Sequence, residues 1–303
     1  MMLKSINLSS IISLTFIMSS TLLAQDLEPR RWTPLPPGTN ILGVGYAYTS
    51  GDLSFDPLLE LEDVDVKLDS LFVNYTRFFP LAGKLARFDA LLPFHRSKWE
   101  GLLAGEEASA KRTGMGDPRF RLSINLLGAP TPGTKAQRKP INTVVGAGIA
   151  VSVPWGENYK DKLLNLGSNN YTIRPQIGVV HTRGPWSYEL TGSIFFFTDN
   201  DSFFNGNKLK QDPFYAVQGH IIRVFQPGVW GSLSAGYGKG GETTVNRVSN
   251  DDERDGYISA LSFGFPITHN QGIKFSYIYL KREIPEDTLS ETDTFAVGWS
   301  YRF

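Results

Sequence analysis

The side chains that could carry acid–base or nucleophilic chemistry are few in this sequence. His95 and Ser97 lie two residues apart, so in a β-strand they would share one face and could act as base and nucleophile, with Glu107 as a third member. A lipid-modifying enzyme is the activity that such a pair would serve. Polar residues at the solvent end of a strand need no catalytic explanation, however, and Glu107 falls in a long polar stretch. We therefore predict no catalytic residue and no enzyme, and keep the His95/Ser97 enzyme as an alternative.

No spacing typical of a metal or phosphate site is present. Four histidines are spread over separate segments: His95, His181, His220 and His269. The acidic run from Asp251 to Asp255 could attract calcium, but its spacing matches no known calcium loop, and a solvated loop is favoured. Three Gly-x-Gly pairs, which begin at Gly43, Gly146 and Gly236, lack the strand–turn–helix context of a phosphate loop. We expect these glycines to let a sheet bend, and we predict no cofactor.

The composition narrows the class of protein. The chain has 303 residues, with 30 Lys+Arg against 30 Asp+Glu, and this balance argues against a nucleic-acid partner. A mean hydropathy of -0.18 fits a soluble protein, and it also fits a barrel whose wall alternates apolar and polar residues. The sequence contains no cysteine, which excludes disulfides and a lipoprotein anchor.

The first residues read as an export signal. Lys4 supplies the positive charge, residues 11–18 the apolar stretch and residues 19–24 a small-residue exit, so we predict a cleavable signal peptide over residues 1–24. Beyond it, no apolar run approaches the roughly 18 residues that a spanning helix needs. Residues 25–37 contain four prolines and predict an extended, Pro-rich periplasmic lead-in.

From residue 38 to residue 303 the chain is dominated by alternation of period two. The clearest case is the final run, in which Phe295, Val297 and Trp299 alternate with small or polar residues as far as Phe303. A strand with rings on one face up to the last residue is similar to the C-terminal signal that outer-membrane barrels present to their assembly machinery. About twelve such runs follow one another, although the second, fifth and eighth alternate poorly.

The lengths of the connections also alternate. Brief turns at residues 80–83, 183–185, 226–228 and 268–271 separate pairs of runs joined by longer polar stretches: residues 51–65, 98–115, 155–168, 199–211, 239–256 and 283–291. Only residues 128–140 break this rule. Short periplasmic turns facing long external loops are typical of a closed antiparallel transmembrane β-barrel of the outer membrane, here with about twelve strands over residues 38–303. Because free edges cannot survive in lipid, the first strand, Asn40 to Ser50, should pair with the last, Thr292 to Phe303. Outward aromatic residues should form the interface girdles: Tyr46, Tyr48, Trp186, Tyr188, Tyr257, Tyr279, Trp299 and Tyr301.

The polar face of the strands should line the lumen. The candidate pore-lining and substrate-binding residues are Arg87, Asp89, Arg119, Arg121, Arg174, Gln176, Glu189, Lys274 and Arg282. With Arg302, these positions hold seven positive and two negative charges. The excess fits an anionic cargo such as a carboxylated aromatic, and it equally fits cross-barrel salt bridges completed by acids from inward-folding loops.

Several short motifs resemble one bacterial family. The sequence Gly114-Met115-Gly116-Asp117-Pro118-Arg119-Phe120-Arg121 enters a strand, and Pro37-Gly38-Thr39-Asn40 and Phe197-Thr198-Asp199-Asn200 agree with it. These motifs are similar to those of the transporters named for the MetA-pathway of phenol degradation. The resemblance covers nearly all of residues 38–303. It implies an outer-membrane barrel that admits aromatic or other hydrophobic compounds.

The sequence thus predicts an outer-membrane channel for passive uptake of small organic solutes, hydrophobic or aromatic. The alternatives are the lipid-modifying enzyme and a structural or adhesive barrel that works through its long loops. The expected partners are outer-membrane lipids and lipopolysaccharide, the assembly machinery through Phe303, and the solute itself, with no nucleic acid.

Overall fold

The computed structural model describes residues 27–53, 61–103, 105–133, 141–284 and 288–303. The predicted signal peptide lies outside the described residues, as does most of the 128–140 connection. No helix within the described residues is long and apolar enough to cross a membrane.

The period-two runs form β-strands, as side chains that alternate between two environments require. Within the described residues there are seventeen: β1 (Asn40–Leu53), β2 (Leu61–Leu81), β3 (Lys84–Leu103), β4 (Glu106–Met115), β5 (Arg119–Leu127), β6 (Ile141–Ser152), β7 (Thr172–Arg183), β8 (Trp186–Phe197), β9 (Asn200–Phe203), β10 (Asn207–Gln211), β11 (Phe214–Gln226), β12 (Val229–Gly240), β13 (Thr243–Val245), β14 (Val248–Ser249), β15 (Arg254–Pro266), β16 (Gln271–Ile284) and β17 (Thr288–Arg302).

Thirteen of these strands form a closed barrel with twelve strand positions. β4 and β5 pair with different parts of β3 and together occupy one of these positions as an interrupted strand. Each strand of the barrel is antiparallel to its neighbours. β1 pairs with β17 from Ile41 opposite Arg302 to Asp52 opposite Glu291, so the first and last strands leave no free edge between them. The predicted twelve-stranded closed barrel and its terminal pairing are confirmed.

The two faces of the wall differ in chemistry. Large apolar side chains such as Leu42, Val44, Leu233 and Phe295 are exposed on the outer surface, whereas many inward positions are small or polar and the apolar ones are buried. All eight predicted girdle aromatics point outward by the register of their strands. An apolar belt of this kind fits a surface in contact with lipid.

Several predicted external loops are largely strand. Residues 98–103 and 105–115 belong to the hairpin of β3 and β4, and β1, β2, β16 and β17 also extend into stretches predicted as loops. The strands continue into these stretches because a cluster of apolar side chains lies inside this extended part of the barrel. Leu53, Val64, Val66 and Trp99 point inward and are buried there, so alternation continues beyond the lipid belt with charged residues outside.

Residues 199–211 and 239–256, also predicted as loops, contribute a small external sheet in the order β14-β13-β10-β9. Its buried apolar cluster consists of Phe203, Leu209 and Val245. On its surface the Lys208 ammonium lies 2.7 Å from a carboxylate oxygen of Asp199. This hydrogen bond lowers the pKa of Asp199 below its usual value.

The segment before β1 is not a periplasmic lead-in. Residues 27–35, here called the luminal segment, enter the barrel and lie against the inward faces of β3, β5 to β8 and β15. The prediction for residues 25–37 is therefore wrong in its described part. Prolines excluded this segment from the sheet, as expected, but its other side chains find partners in the lumen.

Candidate functional site

The luminal segment is anchored by one buried tryptophan. Trp32 packs in a cluster with Val144 of β6 and Val180 of β7. Its indole Nε1 donates a hydrogen bond to Thr191 Oγ1 of β8 at 2.8 Å. The ring is thus held by apolar contact and by a satisfied polar atom, which is the environment that a buried tryptophan requires.

Two glycines of the wall make room for this ring. A Cβ added at Gly146 would lie 2.4 Å from Trp32, and one added at Gly178 would lie 1.9 Å from its Nε1. Neither distance is compatible with a side chain, so the indole and the strands can approach only because both positions are glycine. The expected role of Gly146 in bending the wall is replaced by this close approach.

Buried charges join the luminal segment to β3 and β5. Arg31 Nη1 lies 3.1 Å from Asp89 Oδ2, and Arg121 Nη2 lies 2.5 Å from Glu28 Oε2. Glu28 also contacts Arg119 at 3.3 Å. Each of these acids meets more than one guanidinium, and such fully engaged pairs are costly to break when only one partner is removed.

Glu189 of β8 holds the backbone of the same segment. Its Oε2 accepts hydrogen bonds from the backbone N–H groups of Arg30 at 2.8 Å and Arg31 at 3.2 Å. The Thr33 hydroxyl donates to Oε1 at 3.4 Å. A buried carboxylate with three donors from one peptide fixes both the position and the direction of that peptide.

The predicted pore-lining residues all point into the lumen, but they have different neighbours. Five contact the luminal segment: Arg87, Asp89, Arg119, Arg121 and Glu189. Arg174 and Lys274 line an open cavity. Gln176 and Arg282 are buried inward-facing residues outside that lining. That any of them binds a substrate stays a prediction.

The sequence left two explanations of the basic lumen open, an anionic cargo and cross-barrel salt bridges, and the structure bears on the second. Glu28 supplies an acid to the arginines of β5, so salt bridges do cross the lumen. The acid comes from the luminal segment rather than from a folded-in loop. The signal for this segment was present in the charged and aromatic run from Glu28 to Trp32.

A cavity of about 850 Å³ occupies the part of the lumen that the segment leaves open. Its wall on β1 and β17 is made of small residues, Gly45, Ala47, Ala296 and Gly298. Leu27 and Leu35 of the luminal segment also line the cavity. The cavity exists because these inward wall positions carry almost no side-chain volume.

This cavity extends along most of the barrel. Its lining begins at the turn containing Thr268 and Asn270 and reaches Thr49 and Thr292 towards the other end. Along β1 it covers the positions from Ile41 to Thr49, which is about 27 Å of strand. The cavity is therefore long enough to serve as part of a path through a membrane.

The lining combines rings with positive charge. Phe72, Phe195 and Trp230 contribute aromatic surface. The Arg174 guanidinium carbon lies 4.6 Å from the centre of the Phe195 ring, so charge and ring form one surface. The ionisable residues of the lining, histidines aside, are Arg30, Arg119, Arg174, Lys274 and Arg302 against Glu28 and Asp117.

The external end is covered by the loop of residues 153–171. Asp117 accepts hydrogen bonds from Gly156 N at 2.9 Å, and from Ser168 N at 2.7 Å and its hydroxyl at 2.5 Å. Leu166 of the loop belongs to the apolar cluster inside the strand extension. The Gly-Asp motif that carries the family resemblance is thus the attachment point of this cover.

The structure does not assemble the proposed triad. His95 Nδ1 is hydrogen-bonded to Ser70 Oγ at 2.8 Å. Ser97 lies opposite Arg112 of β4, whereas Glu107 lies opposite Leu102 near the hairpin tip. Five residues of strand, about 17 Å, separate Glu107 from the position facing Ser97. The required third member is out of reach.

The acidic run has a structural role. Asp252 accepts hydrogen bonds from the backbone N–H of Thr243 at 2.6 Å and from its hydroxyl at 2.8 Å. Asp255 accepts one from the Tyr237 hydroxyl at 3.0 Å. Among the described residues, no group of three His, Cys, Asp or Glu side chains could hold a metal ion.

Comparison with known proteins places the fold. The chain is similar to an outer membrane channel from Pseudomonas putida F1, with 20% identity, a TM-score of 0.77, and coverage of 92% of this chain and 100% of that chain. It is also similar to the beta domain of the Bordetella autotransporter BrkA, with 10% identity, a TM-score of 0.50, and coverage of 88% and 100%. No curated protein matches it in sequence. The family model described as "Putative MetA-pathway of phenol degradation" matches residues 44–297, and the chain belongs to that family.

Proposed function

We propose that this protein is an outer-membrane channel for the passive entry of small organic solutes, with aromatic compounds as the preferred class. The observation that carries the proposal is the long cavity between the luminal segment and the wall of small residues on β1 and β17. The family description and the channel from Pseudomonas putida F1 are consistent with it.

The cavity has the dimensions and lining of a small-molecule site. Ligand sites typically measure about 300–1,000 Å³, so this volume admits one small aromatic compound with its water. Phe72 and Trp230 are partly exposed and offer aromatic surface against which a solute ring can pack, beside the buried Phe195 ring that Arg174 covers. Arg174 and Lys274 add positive charge, which favours solutes with a carboxylate or phenolate group.

The luminal segment sets the width of this path. It fills the opposite side of the lumen and is fixed by Trp32 and Glu189. A solute must therefore pass along β1, β16 and β17 rather than through the whole cross-section. This geometry accounts for selection by size without a cofactor or a covalent step.

The test is solute entry into liposomes that contain the purified barrel. Benzoate, neutral benzyl alcohol and a disaccharide are compared by swelling and by direct uptake. We expect both aromatics to enter well above the rate of protein-free liposomes, with benzoate favoured and the disaccharide excluded. A barrel that inserts but passes none of the three would refute the proposal.

Two glycine variants make this test specific to the cavity. Gly298 faces the cavity, and a Cβ there would have its nearest neighbour at 3.9 Å. Gly192 faces outward on β8, and a Cβ there would have nothing within 4 Å. We expect Gly298→Phe to block aromatic entry and Gly192→Phe to leave it unchanged. Equal behaviour of the two variants would place the path elsewhere.

A further inference from the structure

The outer face of β1 to β4 is ordered in rows, because the register sets side chains directly opposite one another. One row is apolar: Tyr46 lies opposite Leu71, Leu71 opposite Phe94, and Phe94 opposite Met115. All four side chains are exposed on the outer face. We call this the apolar row, and it is the last wholly apolar row before charged residues begin on these strands.

Two rows further out, three lysines stand side by side. Lys67 lies opposite Lys98, and Lys98 lies opposite Lys111. This lysine row is about 13 Å beyond the apolar row along the strands. Directly opposed residues have Cβ atoms about 5 Å apart, and like charges at that distance are destabilising. The arrangement is therefore unfavourable unless an anion lies against it.

The described side chains neutralise this row only in part. Lys98 forms an ion pair with Glu100, which also interacts electrostatically with Lys67 and Lys111. Within the described residues, neither Lys67 nor Lys111 has an ion pair of its own. The acids nearest to them, Asp52, Asp65 and Glu100, form the next row outward, on the side away from the apolar row.

One further acid in this area already has a hydrogen-bond partner. Between the apolar row and the lysine row lies Asp69, opposite Arg96. Its carboxylate accepts a hydrogen bond from the Tyr46 hydroxyl at 2.5 Å. The side of the lysine row that faces the lipid belt therefore presents the ammonium groups together with the Arg96 guanidinium.

Elsewhere on the rim, outward lysines face acids. Lys239 lies opposite Asp255 and 3.7 Å from Glu253, and Lys281 lies opposite Glu291 and 3.5 Å from Glu283. Lysines at these positions thus have counter-ions within the protein. The lysine row is the exception among the described strands that carry outward lysines at this end.

We propose that the lysine row binds the phosphate groups of the bis-phosphorylated glucosamine headgroup of lipid A, the glycolipid of the outer leaflet. The acyl chains of that lipid would lie on the apolar row while its phosphates reach the ammonium groups beyond it. Charge complementarity and the position of the row just outside the lipid belt select this occupant. The inference rests on the proposed outer-membrane location.

The experiment compares two double variants with the same loss of charge. Lys67→Gln/Lys111→Gln removes the two lysines without ion pairs of their own, and Lys239→Gln/Lys281→Gln removes two that face acids. Each full-length barrel is purified in detergent, checked for folding by heat-modifiable mobility, and titrated with lipid A by native mass spectrometry. Lipid A with one phosphate removed and phosphatidylglycerol serve as comparison lipids.

We expect the first variant to bind lipid A about tenfold or more weakly than the unsubstituted protein, and the second to match it. Loss of one phosphate should weaken binding to the unsubstituted protein but have little effect on the first variant. Equal binding by both variants, or no preference for lipid A over phosphatidylglycerol, would overturn the inference. Benzoate entry into liposomes should be the same for both variants, so a failure of this site and a failure of the channel are distinguishable.

Discussion

The anchoring of the luminal segment can be tested at Gly178. In the Gly178→Val variant, the new Cβ would lie 1.9 Å from Trp32 Nε1 and 2.3 Å from Cε2, so the indole must leave its place. Trp32 is 2% exposed, and loss of a buried tryptophan costs about 3–5 kcal/mol. About 1.4 kcal/mol corresponds to a factor of ten in an equilibrium constant. The equilibrium constant for the luminal segment lying in the lumen should therefore fall by about 10² to 10³-fold or more.

The assay uses conductance and thiol accessibility. Conductance in planar bilayers should rise about twofold or more in Gly178→Val, because the open cross-section grows when the segment leaves. The natural chain has no cysteine, so a single Pro29→Cys substitution reports on the segment alone. Its reaction with a water-soluble maleimide should accelerate in the Gly178→Val background.

Gly192→Val is the control, since it adds the same side chain to the outward face of the neighbouring strand. It should change neither conductance nor the rate of labelling. If Gly178→Val conducts like the unsubstituted barrel and protects Pro29→Cys equally well, then Trp32 does not hold the segment in the lumen.

Three further predictions follow from named contacts. Asp117→Ala should release the 153–171 loop, because three hydrogen bonds to one carboxylate are lost; trypsin should then cleave faster at Lys160 and Lys162, whereas Glu106→Ala, which removes an exposed carboxylate of the β3–β4 hairpin, should not change this rate. Arg174→Ala combined with Lys274→Ala should shift the reversal potential towards cations and slow benzoate entry more than benzyl alcohol entry, and an unchanged ratio of the two rates would contradict the assigned lining. Ser97→Ala should leave solute entry unchanged, and its lipid hydrolysis should equal that of the unsubstituted protein. A hydrolytic activity that is lost with this hydroxyl would instead support the enzyme alternative.

The barrel could be predicted from the sequence because its wall separates two solvents. In β17 and the residue that follows it, every other residue from Phe295 to Phe303 is apolar. The first and last strands had to pair with each other because lipid offers no water to hydrogen-bond with a free strand edge. The external hairpin at residues 98–115 was missed because charged outward residues there meet water. Its alternation was carried by inward side chains such as Trp99, which pack in a cluster that the sequence does not show.

Apolar inward residues contribute to the poor alternation of the second, fifth and eighth runs, which form β2, β6 and β11. Inward positions of β2, β6 and β11 include Val66, Val144 and Ile222, which are buried and apolar. These positions face packed interior rather than a wet pore, and Val144 packs against Trp32 of the luminal segment. A rule that assigns polar residues to the lumen fails wherever the lumen is filled.

The contacts of the luminal segment were beyond local pattern reading. Glu28 meets Arg121 across 93 residues of sequence, and Arg30 meets Glu189 across 159. The inward direction of both wall residues follows from strand parity. Their partner could not be, because nothing in period-two alternation distinguishes a charged side chain that meets water from one that meets a second peptide.

The most direct test of the account places single cysteines along β17 in proteoliposomes. Ala296 and Gly298 face the cavity, whereas Phe295 and Val297 alternate with them on the outer face. A water-soluble methanethiosulfonate reagent should modify cysteines at 296 and 298 and stop benzoate entry, while cysteines at 295 and 297 should remain unmodified and the flux unchanged. Equal modification of all four positions, or full benzoate flux after modification at 296 and 298, would contradict a solute path along this wall.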